Sequence, residues 1–101
     1  MIKNTLLQIK HATTDGELIK DVEIERTFTV RLLKELIRRE TREIPGWENF
    51  EPQNQRLIFG GGLLGGGLDD KVLNEIRNLA NNSVVQLVYR PVERNAEQGW
   101  V

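Results

Sequence analysis

The chain of 101 residues holds one histidine, His11, and no cysteine. A lone imidazole has no second histidine or thiol with which to share a metal, and no adjacent nucleophile to activate. His11 is therefore expected in a surface or turn role. Without thiols there are no disulfides, no thiol catalysis and no cysteine-ligated zinc. The acidic side chains are scattered, and no pair stands out as a general acid and base. No metal or cofactor is expected.

Gly60-Gly61-Gly62-Leu63-Leu64-Gly65 matches the spacing G-x-G-x-x-G. In a dinucleotide site that spacing follows a first strand, opens a helix at once and precedes an acidic residue in a βαβ unit. This chain is too short for the sheet such a site needs, and it has no Gly-Lys-Ser/Thr for a phosphate loop. The expectation is a mobile loop, or one ordered by a partner, since glycine carries no side chain to pack.

Lys34, Arg38 and Arg42 fall at i, i+4 and i+8, with Arg31 alongside. Such a row can hold an acidic partner or phosphate, but more often it is a solvated helix face. Trp47 and Trp100 are the two tryptophans. Tryptophan suits interfaces because it buries a large area with few rotatable bonds.

The elements that must position these residues can be read from periodicity. Leu7 and Ile9 alternate inward on a strand within Leu6–Lys10. Thr14-Asp15-Gly16 is a turn signal. Glu17 to Glu25 resumes as a strand with Val22 and Ile24 on one face. Lys20 shares that face, so a bulge or an edge is expected there. Thr29 or Thr27 caps a helix whose stripe is Val30, Leu33 and Ile37, with Leu36 beside it. Arg31–Glu35, Glu35–Arg39 and Arg39–Glu43 are i,i+4 pairs of opposite charge. Pro45 and Gly46 stop the helix near Glu43. Trp47 to Asn54 is a loop, and Gln55 to Phe59 a strand. Asp69 or Asp70 is expected to cap a short second helix carrying Val72, Leu73, Ile76 and Leu79. Val84 to Tyr89 is the most strand-like segment, with Val85 and Leu87 on one face and Val84, Gln86 and Val88 on the other. The order strand, strand, helix, strand, short helix, strand is an α+β pattern. One amphipathic helix covers one apolar face of a small mixed sheet. The expected core is Leu7, Ile9, Val30, Leu33, Ile37, Leu57, Phe59, Leu73, Val85 and Leu87.

Fourteen basic and fifteen acidic side chains give a net charge of −1. No global field draws the chain to nucleic acid or to anionic membranes. No apolar stretch approaches the roughly 20 residues needed to span a bilayer. The start lacks the basic end and apolar run of a signal peptide. A cysteine-free chain suits the reducing cytosol, so a cytoplasmic location is the expectation.

At Gln55-Arg56-Leu57-Ile58-Phe59-Gly60-Gly61 the sequence resembles the ubiquitin family. There the third strand reads Gln-Arg-Leu-Ile-Phe before a small residue and a glycine. Ile44-Pro45 stands upstream as in that family, though the loop between is longer. Thr29-Val30, Leu33-Lys34 and Ile37 match the family's helix spacing, and Val85-Gln86-Leu87-Val88-Tyr89-Arg90 is similar to its final strand. The resemblance covers about Leu6 to Arg90. It implies a β-grasp domain over residues 1–91, followed by a tail, 92–101.

The resemblance also implies a binding patch. Ile58, Gly60, Gln86 and Val88 occupy positions of ubiquitin's apolar recognition surface. Ala12 stands where a leucine completes it, and Gln8 where the first strand carries an outward aromatic. Exposed apolar residues on adjacent strands mark binding sites. In a competing arrangement the chain's own tail covers Ile58 and Val88. The sequence departs from the family after Arg90. Pro91 follows, no diglycine is present, and the sequence reads Gln98-Gly99-Trp100-Val101. Gly62 stands where ubiquitin has its main chain-building lysine. The expectation is thus a non-enzymatic, non-conjugating module that binds other proteins, as an adaptor or a small subunit of a larger assembly. Trp100, Leu63 and Leu64 would add apolar area to its patch. The alternative is a conjugated modifier matured by cleavage after Gly99.

Overall fold

The computed structural model describes residues 4–91. Strand β1 (Asn4–Thr13) buries Thr5, Leu7 and Ile9 on one face, as the alternation requires. Thr13 closes the first turn: its hydroxyl donates to the Gly16 carbonyl at 2.7 Å and accepts from the Asp15 amide at 3.1 Å. Strand β2 (Gly16–Glu25) returns antiparallel in unbroken register from Thr13↔Gly16 to Asn4↔Glu25. There is no bulge at Lys20. The strand is an edge instead, and the Lys20 ammonium reaches Glu40 on the helix at 3.9 Å. A lysine on the inner face is tolerated because its stem runs out along the rim to a charge.

Helix α1 (Val30–Thr41) buries Val30, Leu33, Ile37 and Thr41 against the sheet. Three donors at its start have no partner within the helix. The Leu32 amide donates to the Thr29 hydroxyl (3.2 Å), the Val30 amide to the Lys71 carbonyl (2.9 Å) and the Arg31 amide to the Asp69 carbonyl (2.9 Å). Thr29, not Thr27, is therefore the cap. The helix ends at Thr41, two residues before the expected end, where the Thr41 hydroxyl donates back to the Ile37 carbonyl at 2.7 Å.

Strand β3 (Gln55–Phe59) and the short β4 (Gly62–Leu63) follow, and β5 (Ser83–Tyr89) completes the sheet. The order is β2-β1-β5-β3-β4, with β1 and β5 parallel and the other pairs antiparallel. One helix on a mixed five-stranded sheet is the expected β-grasp.

The expected second helix does not form. Lys71 and Asp69 carbonyls are taken by α1, Thr29 bridges to Val72, and the Leu73 and Asn74 amides donate to Phe28 and Arg26. Backbone groups committed to other segments cannot close helical turns. Only a 3₁₀ turn, Leu73–Glu75, remains, and Leu73 and Leu79 still reach the core.

Nine of the ten expected core residues are buried, and Phe59 is half-buried against them. The core also takes in Trp47, Phe50, Leu64 and Leu79. Trp47 is 2% exposed, so it is a core residue and not an interface one. No helix among the described residues is long and apolar enough to cross a membrane.

Candidate functional site

The face of the sheet turned away from α1 carries the candidate site. In β5, Val85 and Leu87 point into the core, so Val84, Gln86 and Val88 are exposed on the other side. The register then fixes the neighbours. Ile58 lies opposite Gln86 on one side and Leu63 on the other, Arg56 opposite Val88, and Lys10 opposite Gln86.

Ala12, Ile58, Gln86 and Val88 line one shallow depression of about 380 Å³ together with His11, Leu87 and Tyr89. All of its lining residues belong to strands β1, β3 and β5. Val88 is 44% exposed and Leu63, on β4 beyond Ile58, 42%. Two cations share this face: Arg56 is exposed, and Lys10 leans to Glu17 at 3.7 Å.

Three of the expected site residues are placed differently. Leu63, though paired with Ile58, lines a separate hollow with Arg56, Gly67 and Arg90 and not the depression. Gly60 is exposed but lies in the turn beyond β3 and does not line the depression. Leu64 is 3% exposed and belongs to the core, so it is not available to a partner. Trp100 and the tail lie outside the described residues.

The glycine run is built for turns. Gly60 and Gly61, at φ +64° and +87°, form the two-residue connection between the paired Phe59 and Gly62. Positive φ at both central positions is what a type I′ hairpin demands. Gly65 and Gly66, at φ +65° and +68°, then turn the chain so that Leu64 enters the core. No helix opens after the run, so the phosphate geometry of a dinucleotide site is absent here.

Three of the four cations of the basic row are engaged within the domain. The Lys34 ammonium lies 2.9 Å from Asp69, the Arg31 guanidinium 2.7 Å from Asp70, and Arg38 contacts the Glu51 carboxylate at 2.5 Å and the Glu48 carbonyl at 2.7 Å. The three i,i+4 helix pairs do not form within salt-bridge distance; Arg31 turns to Asp70 in place of Glu35. Arg42 is exposed just beyond the helix.

His11 sits neither in a turn nor on open surface. Its half-buried ring is edge-on to Phe50 (4.6 Å) and Trp47 (5.4 Å), and Phe50 in turn meets Tyr89 at 5.9 Å. His11 and Tyr89 thus rim the depression, a role that sequence reasoning missed. The available signal was parity: Tyr89 follows Val85 and Leu87 on the inner face, at the strand's end, where a ring can reach around. Nearby, the Glu48 carboxylate accepts from the Gly46 amide at 3.0 and 3.1 Å. Backbone amides, its own first and then that of Gly46, hold its pKa below the ordinary 4.5. Among the described residues no three His, Cys, Asp or Glu side chains gather as a metal site.

The chain matches the ubiquitin family over residues 7–92. No curated protein matches it. A de novo design based on ubiquitin is similar in structure, at 20% identity and a TM-score of 0.65, over 90% of this chain and 94% of the design. Ubiquitin of Caldiarchaeum subterraneum is 21% identical at a TM-score of 0.64, over 89% of this chain and 98% of its own. An Arabidopsis thaliana protein is 22% identical at 0.65, over 92% and 94%.

Proposed function

Because the chain belongs to the ubiquitin family, we propose that it is a protein-binding module, a small subunit or adaptor of a larger assembly, and not a conjugated modifier. One observation carries this reading: Ala12, Ile58, Gln86 and Val88, from three strands, line a single depression on the face of the sheet turned away from α1. Neighbouring exposed apolar residues at a rigid sheet surface form the kind of patch that partners bury. Binding in place of catalysis is supported by His11, the sole histidine, whose ring is packed against Trp47 and Phe50. Arg90 is followed by Pro91-Val92-Glu93-Arg94 and not by Gly-Gly, which supports a non-conjugating role.

The test is affinity purification of the full chain, followed by calorimetric titration of the partner recovered. A stoichiometric, non-covalent complex weakened by Ile58→Ala supports the reading. Trp100→Ala is expected to weaken it at least as much while leaving the Tm of the isolated chain nearly unchanged. Covalent adducts of a form ending at Gly99, seen by intact mass, would overturn it in favour of a modifier.

A further inference from the structure

We propose that His11 is a pH-operated latch: charging its ring draws it into water, frees the loop that carries Trp47 and Phe50, and reshapes the depression around Ile58. The inference rests on the reading of that depression as the binding surface, and adds a means of regulating it.

The ring of His11 touches both structures. Alternation along β1 turns Leu7 and Ile9 inward, so His11 follows them on the inner face near the strand's end. The loop between α1 and β3 brings Phe50 to 4.6 Å from its ring and Trp47 to 5.4 Å. His11 also lines the depression, as does Tyr89, whose ring meets Phe50 at 5.9 Å. His11, Phe50 and Tyr89 thus link the loop to the rim through successive ring contacts. The loop's polar ties lie elsewhere. Arg38 donates to the Glu48 carbonyl at 2.7 Å, and the Gln55 amide to the Phe50 carbonyl at 3.1 Å. Release of the His11 ring therefore loosens the loop without detaching it.

The surroundings offer a charged ring nothing. Its cross-strand neighbours are Leu18 on β2 and Leu87 on β5, both apolar. The charged groups of the elements around it are turned to other partners. Lys10 meets Glu17 at 3.7 Å, Arg38 holds Glu51, and the Glu48 carboxylate takes the Gly46 amide. The remaining titratable group nearby is the Tyr89 phenol, on the far side of Phe50. Among the described residues no carboxylate lies within salt-bridge distance of the imidazole. Neither ring nitrogen has a hydrogen-bond partner among them. The second N–H of a charged ring would be met only by water. Attraction of the cation to the aromatic rings opposes release. That attraction is smaller than the hydration forfeited when an unpaired charge is held against Trp47 and Phe50, which are 2% and 3% exposed. Protons therefore favour the open arrangement, with the ring in water.

The experiment is an NMR titration of the full chain between about pH 5 and pH 8, the window in which histidine changes charge. The His11 ring resonance is unambiguous, because the chain has no other histidine. In parallel, acrylamide quenching of Trp47 fluorescence is followed in Trp100→Phe, which leaves Trp47 as the only indole. The expected result is one midpoint shared by the His11 ring and the amides of Trp47, Phe50, Ile58 and Val88, with quenching of Trp47 rising on its acid side. His11→Phe keeps an aromatic ring without a titrating nitrogen. In that variant Trp47 should stay shielded, and the same amides should not move across the range. Loop and rim shifts with a midpoint below that of the ring would assign the change to carboxylates such as Glu48 and overturn the proposal. So would a ring titration that leaves Trp47 and Val88 unmoved, quenching of Trp47 that does not rise in acid, or an unaltered response in His11→Phe. If His11→Phe does not fold, the parent's shared or separate midpoints, read with the quenching, decide. Every reading comes from the chain alone, so failure here is distinguishable from a loss of partner binding at Ile58, which bears on the first reading.

Discussion

Lys34 on α1 and Asp69 beyond the glycine run meet at 2.9 Å, joining the helix to the segment whose carbonyls cap it. The lysine side chain is 16% exposed and the carboxylate 40%, so solvent screens the pair only in part. Asp69→Asn is expected to destabilise by about 1 kcal/mol, and a double-mutant cycle with Lys34→Met should return a coupling of about 0.5–1 kcal/mol. Urea denaturation of the four proteins measures both. A coupling near zero would mean that the backbone caps alone fix this junction.

The glycines differ in what they tolerate. Gly65 has φ +65°, and a Cβ there would lie 3.1 Å from the Val30 side chain and from Lys71 Cβ. Gly66 has φ +68° with nothing near. Gly66→Ala should therefore cost about 1 kcal/mol, the left-handed strain alone, and Gly65→Ala more, since a neighbour must also shift. Thermal melting orders the two.

These junctions show where the sequence was legible. Leu7 and Ile9, Val30 with Leu33 and Ile37, and Val85 with Leu87 carry simple periods, because each element faces one core with a regular geometry. Leu73 lies in the core as expected, but on no α-helix; Leu79, an apolar position of that expected helix, is buried as well. Helical spacing reports which residues turn inward, and it does not report that Arg26, Phe28, Val30 and Arg31 claim the backbone of residues 69–74. Trp47 is illegible for a related reason: its ring meets Phe50 three residues on, across an irregular loop, and His11 far off in β1, and neither contact leaves a periodic pattern. The patch was legible as positions on strands, while its aromatic rim was not, because it forms where a loop folds back on strand ends.

Acid should weaken the loop that carries Trp47. Hydrogen bonds from backbone amides lower the Glu48 pKa below 4.5 in the folded chain. A depressed carboxylate contributes stability that is present above the unfolded pKa and lost as pH falls through the folded one. Stability should thus decline below about pH 4.5, and Glu48→Gln should flatten part of that slope by lowering stability at neutral pH toward the acid value. Unfolding free energy measured across that range decides; an unchanged slope in the variant would remove Glu48 from the account.

Leu63 and Leu64 give the sharpest contrast, since they are adjacent in the chain and have opposite fates. Leu63 pairs with Ile58 at the sheet's outer face and is 42% exposed, whereas Leu64 is 3% exposed in the core. Leu64→Ala removes buried methyl groups and leaves a cavity, a loss of about 2–5 kcal/mol that threatens a domain of this size. Leu63→Ala removes surface that is already half in water, and stability should change by no more than about 0.5 kcal/mol. Binding should invert the order. Leu63 pairs with Ile58 without lining the depression; a partner docked there is expected to reach across to it, so its truncation should weaken binding, with Ile58→Ala as the reference. Leu64→Val, which keeps the core largely filled, should bind as the parent does. Chemical denaturation and calorimetric titration of the variants test both halves. If Leu63→Ala leaves affinity unchanged while Ile58→Ala reduces it, the interface stops at β3 and does not reach β4. If Leu64→Val weakens binding without loss of stability, the assignment of Leu64 to the core alone is wrong.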